Sequence, residues 1–596
     1  MLRVGIDVGG TFTDLAAIDS GDGAIVTLKV PSTPLEPQRA VLDALAMLFE
    51  RCGCDAGAVE FLGHSTTIAT NALLGQLGLE IPRVGLVTTQ GFRDVIEIGR
   101  QNRSEVYNLF VERPRPLVKR EDRFTVRERI DYHGETLEPL DEASLAQVCA
   151  ELQTRENVAA VAICLLHSYA NDSHERRVGE AVAKALPDAV VVCSSQVDAQ
   201  YREYERFSTT VVNAALAPIV SRYLDRLSQT LRARDLRKPV YVMRSDGGLT
   251  AARYAAATPA AILESGPASG VIAAAALSRR LGVGRLLSFD MGGTTAKAGA
   301  IVDGVAQVVA EFEAAGKTHS GRAVKGSGYP VRFAFVDLAE VSAGGGTMAW
   351  IDDAGSLRVG PMSAGADPGP ACYGVSDCAT VTDANVVLGR LNPAHLLGGA
   401  FPIDAARARA AIAALGARLG LSVEETAAGV VTLIDAQMSK ALRIVTIERG
   451  HDPRDFTLAA FGGSGPLHAC SLADELGIAR VLIPERPGIF SAYGLLDAGL
   501  RENFVRPLLQ PLETVDFEAV ERDFRAWEAR GRETLLDQGA VPETIEFRRE
   551  FDARYFGQSY ELTISGATCE SVAEQFHRAH RARYGYDARG ESIELV

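Results

Sequence analysis

An aspartate, one residue and then Gly-Gly-Thr occurs twice in this chain, as Asp7-Val-Gly9-Gly10-Thr11 and as Asp290-Met-Gly292-Gly293-Thr294. The copies lie about half the chain apart, and each sits between two apolar runs. Glycine permits positive φ and close backbone approach, so successive N–H groups of such a turn can converge on phosphate oxygens. A threonine hydroxyl adds a donor, and a carboxylate at a strand end stands where Mg2+ or its waters would be held. One such turn alone reads as an ordinary hairpin. Two copies fit two like-folded domains, each gripping one side of a nucleoside triphosphate. The chemistry served would be phosphoryl transfer, in which a protein works by positioning and charge neutralisation.

A third glycine-rich piece, Gly462-Gly463-Ser464-Gly465, follows the apolar run FTLAAF and leads into a helix at Leu467. Beside the doubled turn it is the expected adenosine-side loop. Its spacing is not the GxGxxG of a dinucleotide fold. Asp7 and Asp290 are the expected metal-side carboxylates. Asp14 reads either as an aid to the metal or the attacking water, or as a cross-strand hydrogen-bonding group. His64, in GHSTT, reads equally as a site histidine or a satisfied loop residue. Thr295 continues the second turn, and Lys297 reads as a phosphate-neutralising cation or a solvated one. Arg93 and Arg100 suit a substrate carboxylate or plain surface pairing. Ser265 reads as an N-cap, Asp367 and Asp383 as solvated loop carboxylates, and His451 with Asp452 as punctuation after a helix.

The elements that must place these residues are legible from periodicity. Strand-like runs such as RVGLVTT, VAAVAICLL and AVVVCSS alternate with amphipathic stretches, which predicts an α/β fold. Helices are expected at 201–234, near 266–281 and at 423–449, and the glycine-rich stretch 342–374 is expected to be built of loops. From about 505 the pattern becomes helix, strand pair, helix, and the ending on the strand-like SIELV suggests a last domain cut short of its natural end. The 596 residues predict domains at 1–200, 201–500 and 505–596. Net charge is −15, and no Lys/Arg-rich stripe offers a nucleic-acid surface. No apolar run approaches the roughly 20 residues needed to cross a bilayer, and no secretion signal is written, so a cytoplasmic protein is expected. The nine cysteines are scattered, which gives a zinc site little support, and several in apolar runs, such as Cys164, read as buried thiols.

The motifs together resemble the actin/sugar-kinase/chaperone ATPase superfold and, more narrowly, the A subunits of the hydantoinase/oxoprolinase family. The resemblance runs through DVGGTFTD (7–14), GHSTTIATNALL (63–74), SGPASGV (265–271), FDMGGTTAKA (289–298), GPMSAGADPGPACYG (360–374) and AFGGSGPLHA (460–469). It implies two like-folded ATPase domains around a nucleotide cleft, plus a smaller C-terminal α+β domain. It also implies ATP and Mg2+ as cofactors, a cyclic amide or related carbonyl compound as substrate, and a separate B-type subunit in a hetero-oligomer. The family includes ATP-dependent ketone carboxylases, so carboxylation stands beside ring opening. A nucleotide-gated switch and a sugar kinase are the readings from other classes. Lys297 is a departure, because many members carry an aspartate near that position.

Overall fold

The computed structural model describes the whole chain apart from positions 11, 34, 35, 77, 320, 321, 366 and 400. Thr11, assigned to the first turn, therefore lies outside the described residues. The fold is mixed α/β and divides into two compact units. One gathers residues 1–81, 101–115 and 219–498, and the other gathers 82–100, 116–218 and 499–596. Strand pairing accounts for this interleaving of segments. Strand Val59–Thr66 takes Val240–Met243 as its parallel neighbour, while strands between residues 83 and 193 build a separate sheet.

The first unit contains two sheets that share a local plan. In one, the hairpin Leu2–Val8 with Phe12–Asp19 is extended in parallel by Val59–Thr66 next to its first strand. In the other, the hairpin Arg285–Met291 with Ala296–Val302 is extended in parallel by Thr457–Phe461, again next to the first strand. The inner strands are almost fully buried, with Val4, Ile6, Leu287 and Phe289 at 0% exposure, as strands covered on both faces must be. The helices that follow keep to their expected places. Ser265–Leu281 ends at Gly282 in the left-handed region, and Val423–Val445 begins with a Ser422–Glu425 capping box. The stretch expected to be loops holds an antiparallel pair, Thr347–Ile351 with Leu357–Ser363, turned at Gly355. The sequence TMAWI and LRVGP alternates enough to pair once a glycine turn closes it.

Three glycines set how one helix enters this unit. Gly5 and Gly63 face each other across the parallel ladder. A Cβ on Gly5 would lie 2.3 Å from the carbonyl oxygen of Ala492, and one on Gly63 would lie 3.0 Å from Leu495 Cβ. Together they form a trough for the helix Phe490–Asp497. On its other side this helix meets Ser265–Leu281 at Gly494, where a Cβ would lie 1.8 Å from the carbonyl oxygen of Ser269.

The second unit contains a parallel sheet in the order Val190–Cys193, Val158–Cys164, Arg83–Thr89, Arg123–Val126, over a core that includes Val87, Phe124 and Val161. Its C-terminal part is a four-stranded sheet in which the final strand, Ile593–Leu595, pairs with both Gln510–Pro511 and Phe551–Tyr555. The helices Phe517–Asp537 and Cys569–Tyr584 accompany it, and Phe551 and Phe576 lie in its core. Among the described residues no helix is long and apolar enough to cross a membrane, and the nine cysteines are free.

The glycine trough is testable. Gly494→Ala places a methyl group against a backbone carbonyl that cannot rotate away. We expect a loss of about 3 kcal/mol, the upper end for overpacking, read as a lower urea midpoint with an unchanged slope. Alanine at exposed Gly590, where a Cβ meets nothing, serves as the control.

Candidate functional site

Both six-stranded sheets of the first unit carry the doubled motif, and strand register puts its residues in matching places. Asp7 faces Asp14 across the antiparallel ladder and Ser65 across the parallel one. Asp290 faces Lys297 and Phe461 in the same two directions. The turns close alike: Gly9 N–H donates to the carbonyl of Phe12, and Gly292 N–H donates to that of Thr295, each at 3.0 Å. Equivalent cross-strand positions thus hold an acid, Asp14, in one copy and a base, Lys297, in the other.

Each charged group has a named partner. Ser65 Oγ donates to Asp7 Oδ1 at 2.6 Å, and Lys29 Nζ lies 2.5 Å from Asp14 Oδ1. Lys297 Nζ lies 2.8 Å from Glu264 Oε2 and 3.5 Å from Glu340 Oε2. Thr70 Oγ1 donates to the other oxygen of Glu264 at 3.2 Å. The carboxylates are close enough to raise one another. Burial, followed by repulsion from Asp7, lifts Asp290 to about 6. Burial also lifts Asp14 to about 6, against the pull of Lys29 and with Asp7 and Asp290 adding to the rise. Asp7 is raised by burial as well, with its Ser65 hydrogen bond opposing. Burial works against the Lys297 ammonium, yet Glu264 and Glu340 outweigh it and hold that group well above its ordinary value.

Glycines bring backbone against these carboxylates. Gly462 has φ +79°, and a Cβ there would lie 2.3 Å from Asp290 Oδ1. Gly266, in the first turn of Ser265–Leu281, leaves only 3.1 Å between its Cβ position and Asp7 Oδ1. On the other side the turns border open space, since a Cβ built on Gly10, Gly292, Gly293 or Gly463 meets nothing within 4 Å. The second turn is also braced from behind. Gly345 N–H donates to the Gly292 carbonyl at 3.1 Å, Gly346 to that of Gly293 at 2.7 Å, and Ser464 to that of Met291 at 2.9 Å. Gly465 is buried under the same strand end. The first turn, the second turn and the 462–465 loop are therefore gathered in one unit. Among the described residues no three His, Cys, Asp or Glu side chains cluster tightly enough to hold a metal ion. A metal here would draw its remaining ligands from water or phosphate oxygens.

Residues 206–504 match the hydantoinase/oxoprolinase family, and residues 3–186 match the N-terminal region of the same family. The chain belongs to the hydantoinase/oxoprolinase family. It is 46% identical, over its full length and 86% of the relative, to an uncharacterized protein of Methanocaldococcus jannaschii. It is 34% identical, over its full length and 86% of the relative, to the caprolactamase subunit alpha of Pseudomonas jessenii. With the acetophenone carboxylase gamma subunit of Aromatoleum aromaticum it shares 32% identity over 93% of this chain and 77% of the relative. The crystal structure of the ATP-dependent caprolactamase from Pseudomonas jessenii superposes with a TM-score of 0.84, at 32% identity, covering all of this chain and 86% of that one. The chain spans only 49% of 5-oxoprolinase 1 of Arabidopsis thaliana, to which it is 29% identical over 99% of its own length.

Several side chains of this hydantoinase/oxoprolinase chain sit otherwise than the sequence suggested. His64 leaves the catalytic set. Its Nδ1 lies 3.2 Å from the Ile6 carbonyl and its Nε2 2.8 Å from the Tyr223 hydroxyl. Burial holds its pKa down at about 4, so it is neutral, donating through Nδ1 and accepting from Tyr223. Lys297 is neither solvated nor free for phosphate, because two carboxylates hold it. Thr294 is exposed beside the second turn. Ser265 does not cap its own helix: its Oγ donates to the Thr66 carbonyl at 2.8 Å and accepts that residue's N–H at 3.1 Å. Asp383 is buried rather than solvated, accepting from the N–H groups of Ala371, Cys372 and Thr380. Arg100 is taken up in a two-pronged pair with Glu205 at 2.8 and 2.6 Å, Arg93 pairs with Asp94, and Asp452 pairs with Arg454. Asp367 is exposed, and the His451 ring meets Phe456 edge-on. Sequence reasoning passed over Lys29, Glu264 and Glu340. Only Glu264 carried a signal, as the neighbour of Ser265, and it adopts φ +55°, which is uncommon outside glycine.

Burial of these carboxylates makes stability depend on pH in a direction that can be checked. A carboxyl whose folded pKa is raised binds its proton more tightly in the folded state. Asp290 and Asp14 therefore contribute stability that grows as pH falls from about 6 toward the ordinary value of 3.8. We expect the melting temperature of the nucleotide-free parent to gain on that of Asp290→Asn across that window. At alkaline pH Asp290→Asn should melt higher, because the parent there carries the full repulsion. Parallel melting curves for the two proteins would remove Asp290 from the cluster.

Proposed function

We propose that this chain is the ATP-using subunit of an enzyme that opens cyclic amides. The observation that carries the reading is the gathering of two matched Gly-Gly turns and the 462–465 loop around Asp7 and Asp290, with open space on the glycine side, in a member of a family with caprolactamase and 5-oxoprolinase relatives. The two like-folded halves of an actin/sugar-kinase-type ATPase correspond to the two sheets of the first unit. The triphosphate lies along Gly9, Gly10 and Gly292–Thr295, and the adenosine side lies at Gly462–Gly465.

An unstrained amide ring has a poor leaving group at its carbonyl carbon. Transfer of the γ-phosphoryl group to the amide oxygen gives an imidate phosphate and ADP. Water then adds to the carbon and the C–N bond opens, leaving an acyl phosphate and a free amine; a second water displaces inorganic phosphate to give the carboxylate. Asp7 and Asp290 fit a Mg2+ ion held through water and phosphate oxygens, and that ion would supply charge neutralisation at the transferring phosphoryl group. The chain's own residues then do three things. Glycine N–H groups orient the phosphates, the strand-end carboxylates fix the ion's side of the cleft, and Lys29 and Lys297 offset the acidic cluster that remains. The similarity to the acetophenone carboxylase gamma subunit supports a second reading, in which the same activation serves carboxylation.

The test has two parts. Asp7→Asn and Asp290→Asn should each lower Mg·ATP hydrolysis by at least a hundredfold, about 2.7 kcal/mol of barrier, while melting cooperatively. Near-parental rates would sink the nucleotide assignment. ATP turnover by the parent with its partner chain, screened against lactams, hydantoins, 5-oxoproline and aryl ketones, should rise with a cyclic amide and be indifferent to bicarbonate. Turnover that requires both a ketone and bicarbonate would replace the hydrolase by the carboxylase. In the same assay Lys297→Ala should cost more than tenfold in kcat/KM for ATP, through loss of the counter-ion to Glu264 and Glu340.

A further inference from the structure

Residues 101–115 belong to the first unit, although the chain on both sides of them belongs to the second. The segment has no helix or strand, yet it is tied down. The backbone of Asn102 lies against Gly326, Glu105 Oε1 lies 3.0 Å from Lys317 Nζ, and the Arg115 carbonyl accepts the Tyr329 hydroxyl at 2.7 Å. Between these ties an internal turn fixes its shape. Asn108 donates to Glu105 through its backbone N–H at 3.2 Å and its side-chain amide at 2.7 Å, and Phe110 N–H donates to Asn108 Oδ1 at 2.9 Å. The polar residues thus satisfy one another, and the apolar ones are left facing water. Val106, Tyr107, Leu109 and Phe110 are 67%, 98%, 86% and 89% exposed.

Exposed large apolar residues are ordinary when single, but four within five positions are not. With about 150–250 Å² for each aromatic, the tip presents on the order of 500 Å², in the range of patches that mark interaction sites. Charged Arg103, Glu105, Glu112 and Arg113 flank it, giving the apolar centre and polar rim of a protein interface. With that rim the surface approaches the roughly 800 Å² per partner of a stable complex.

We infer that the tip Val106–Phe110 docks a second, non-identical protein chain, equivalent to the half of the long 5-oxoprolinases that this chain does not cover. The inference rests on the subunit reading above. Three observations choose this occupant. The chain spans 49% of the plant relative, two further relatives are named as single subunits, and two copies of a chain with net charge −15 repel each other.

The test places a photo-crosslinking phenylalanine analogue at position 107 or 110 of the tagged full chain, expressed in the organism it comes from. Exposed Tyr560 serves as the control position. The expected result is a crosslink from 107 and 110, absent from 560, to a co-purifying chain whose sequence matches the uncovered half of the long 5-oxoprolinases. A crosslink to another copy of this chain, to an unrelated chain, or to nothing overturns the inference. The triple variant Y107S/L109S/F110S should reduce the ratio of co-purified partner to this chain at least tenfold without lowering its melting temperature, and an unchanged ratio overturns the inference equally. Ring opening measured on the same preparation separates the two readings. Crosslinks without ring opening leave the surface standing and the activity wrong, whereas ring opening without crosslinks does the reverse.

Discussion

Three carboxylates that repel one another are held close together and mostly shielded from water, and the first unit is organised around keeping them there. Asp7, Asp14 and Asp290 each carry the cost of burial and the field of a neighbour of like sign. The fold offsets that cost with single, close partners: Ser65 for Asp7 and Lys29 for Asp14. Asp290 has the weakest compensation, with Lys297 across the ladder already engaged by Glu264 and Glu340. A site arranged in this way is short of positive charge at rest. It favours the arrival of a cation over the arrival of a bare polyanion, and that preference follows from the protein's own charges before any ligand is considered.

The two sheets repeat one plan without repeating its charges. Backbone closure of the turns agrees to the hydrogen bond, and both strand-end aspartates stand between an antiparallel and a parallel neighbour. The residue across the ladder differs in sign, and so do the groups that satisfy it. Duplication of the backbone therefore gives symmetry of grip, and divergence of the side chains gives the two sides of a site different work. Glu264 joins the sides, bonded to Thr70 on one strand-and-helix element and to Lys297 on the other sheet.

Much of this was legible in the sequence, because glycine and strand-end aspartate act through local geometry. Asp7, Asp290, the two Gly-Gly turns and the 462–465 loop could be read from short stretches, and the helices at Ser265 and Val423 announced themselves by spacing and capping. His64 could not be read so. Its role is decided by Tyr223, far along the chain, and by complete burial, neither of which a five-residue window carries. Asp383 was misread for a related reason: it stands in the first turn of the helix Val381–Val387, in a capping box with Thr380, and backbone N–H groups from another segment converge on it. Lys29, Glu264 and Glu340 come from three separate stretches and reach their partners, Asp14 for the first and Lys297 for the other two, only once the sheets have formed.

The interleaving of the two units has a consequence for how the chain acquires its structure. The first sheet needs Val240–Met243 beside Val59–Thr66, and Gly5 and Gly63 find their cover only in Phe490–Asp497. During synthesis, at about 5–20 residues per second, the first hairpin must wait for most of the protein to emerge before its apolar face is closed. Contacts of such long sequence separation make folding slow and leave unpaired strand edges exposed in the meantime. Fragments cut near residue 200 would lack the partners that the first sheet requires.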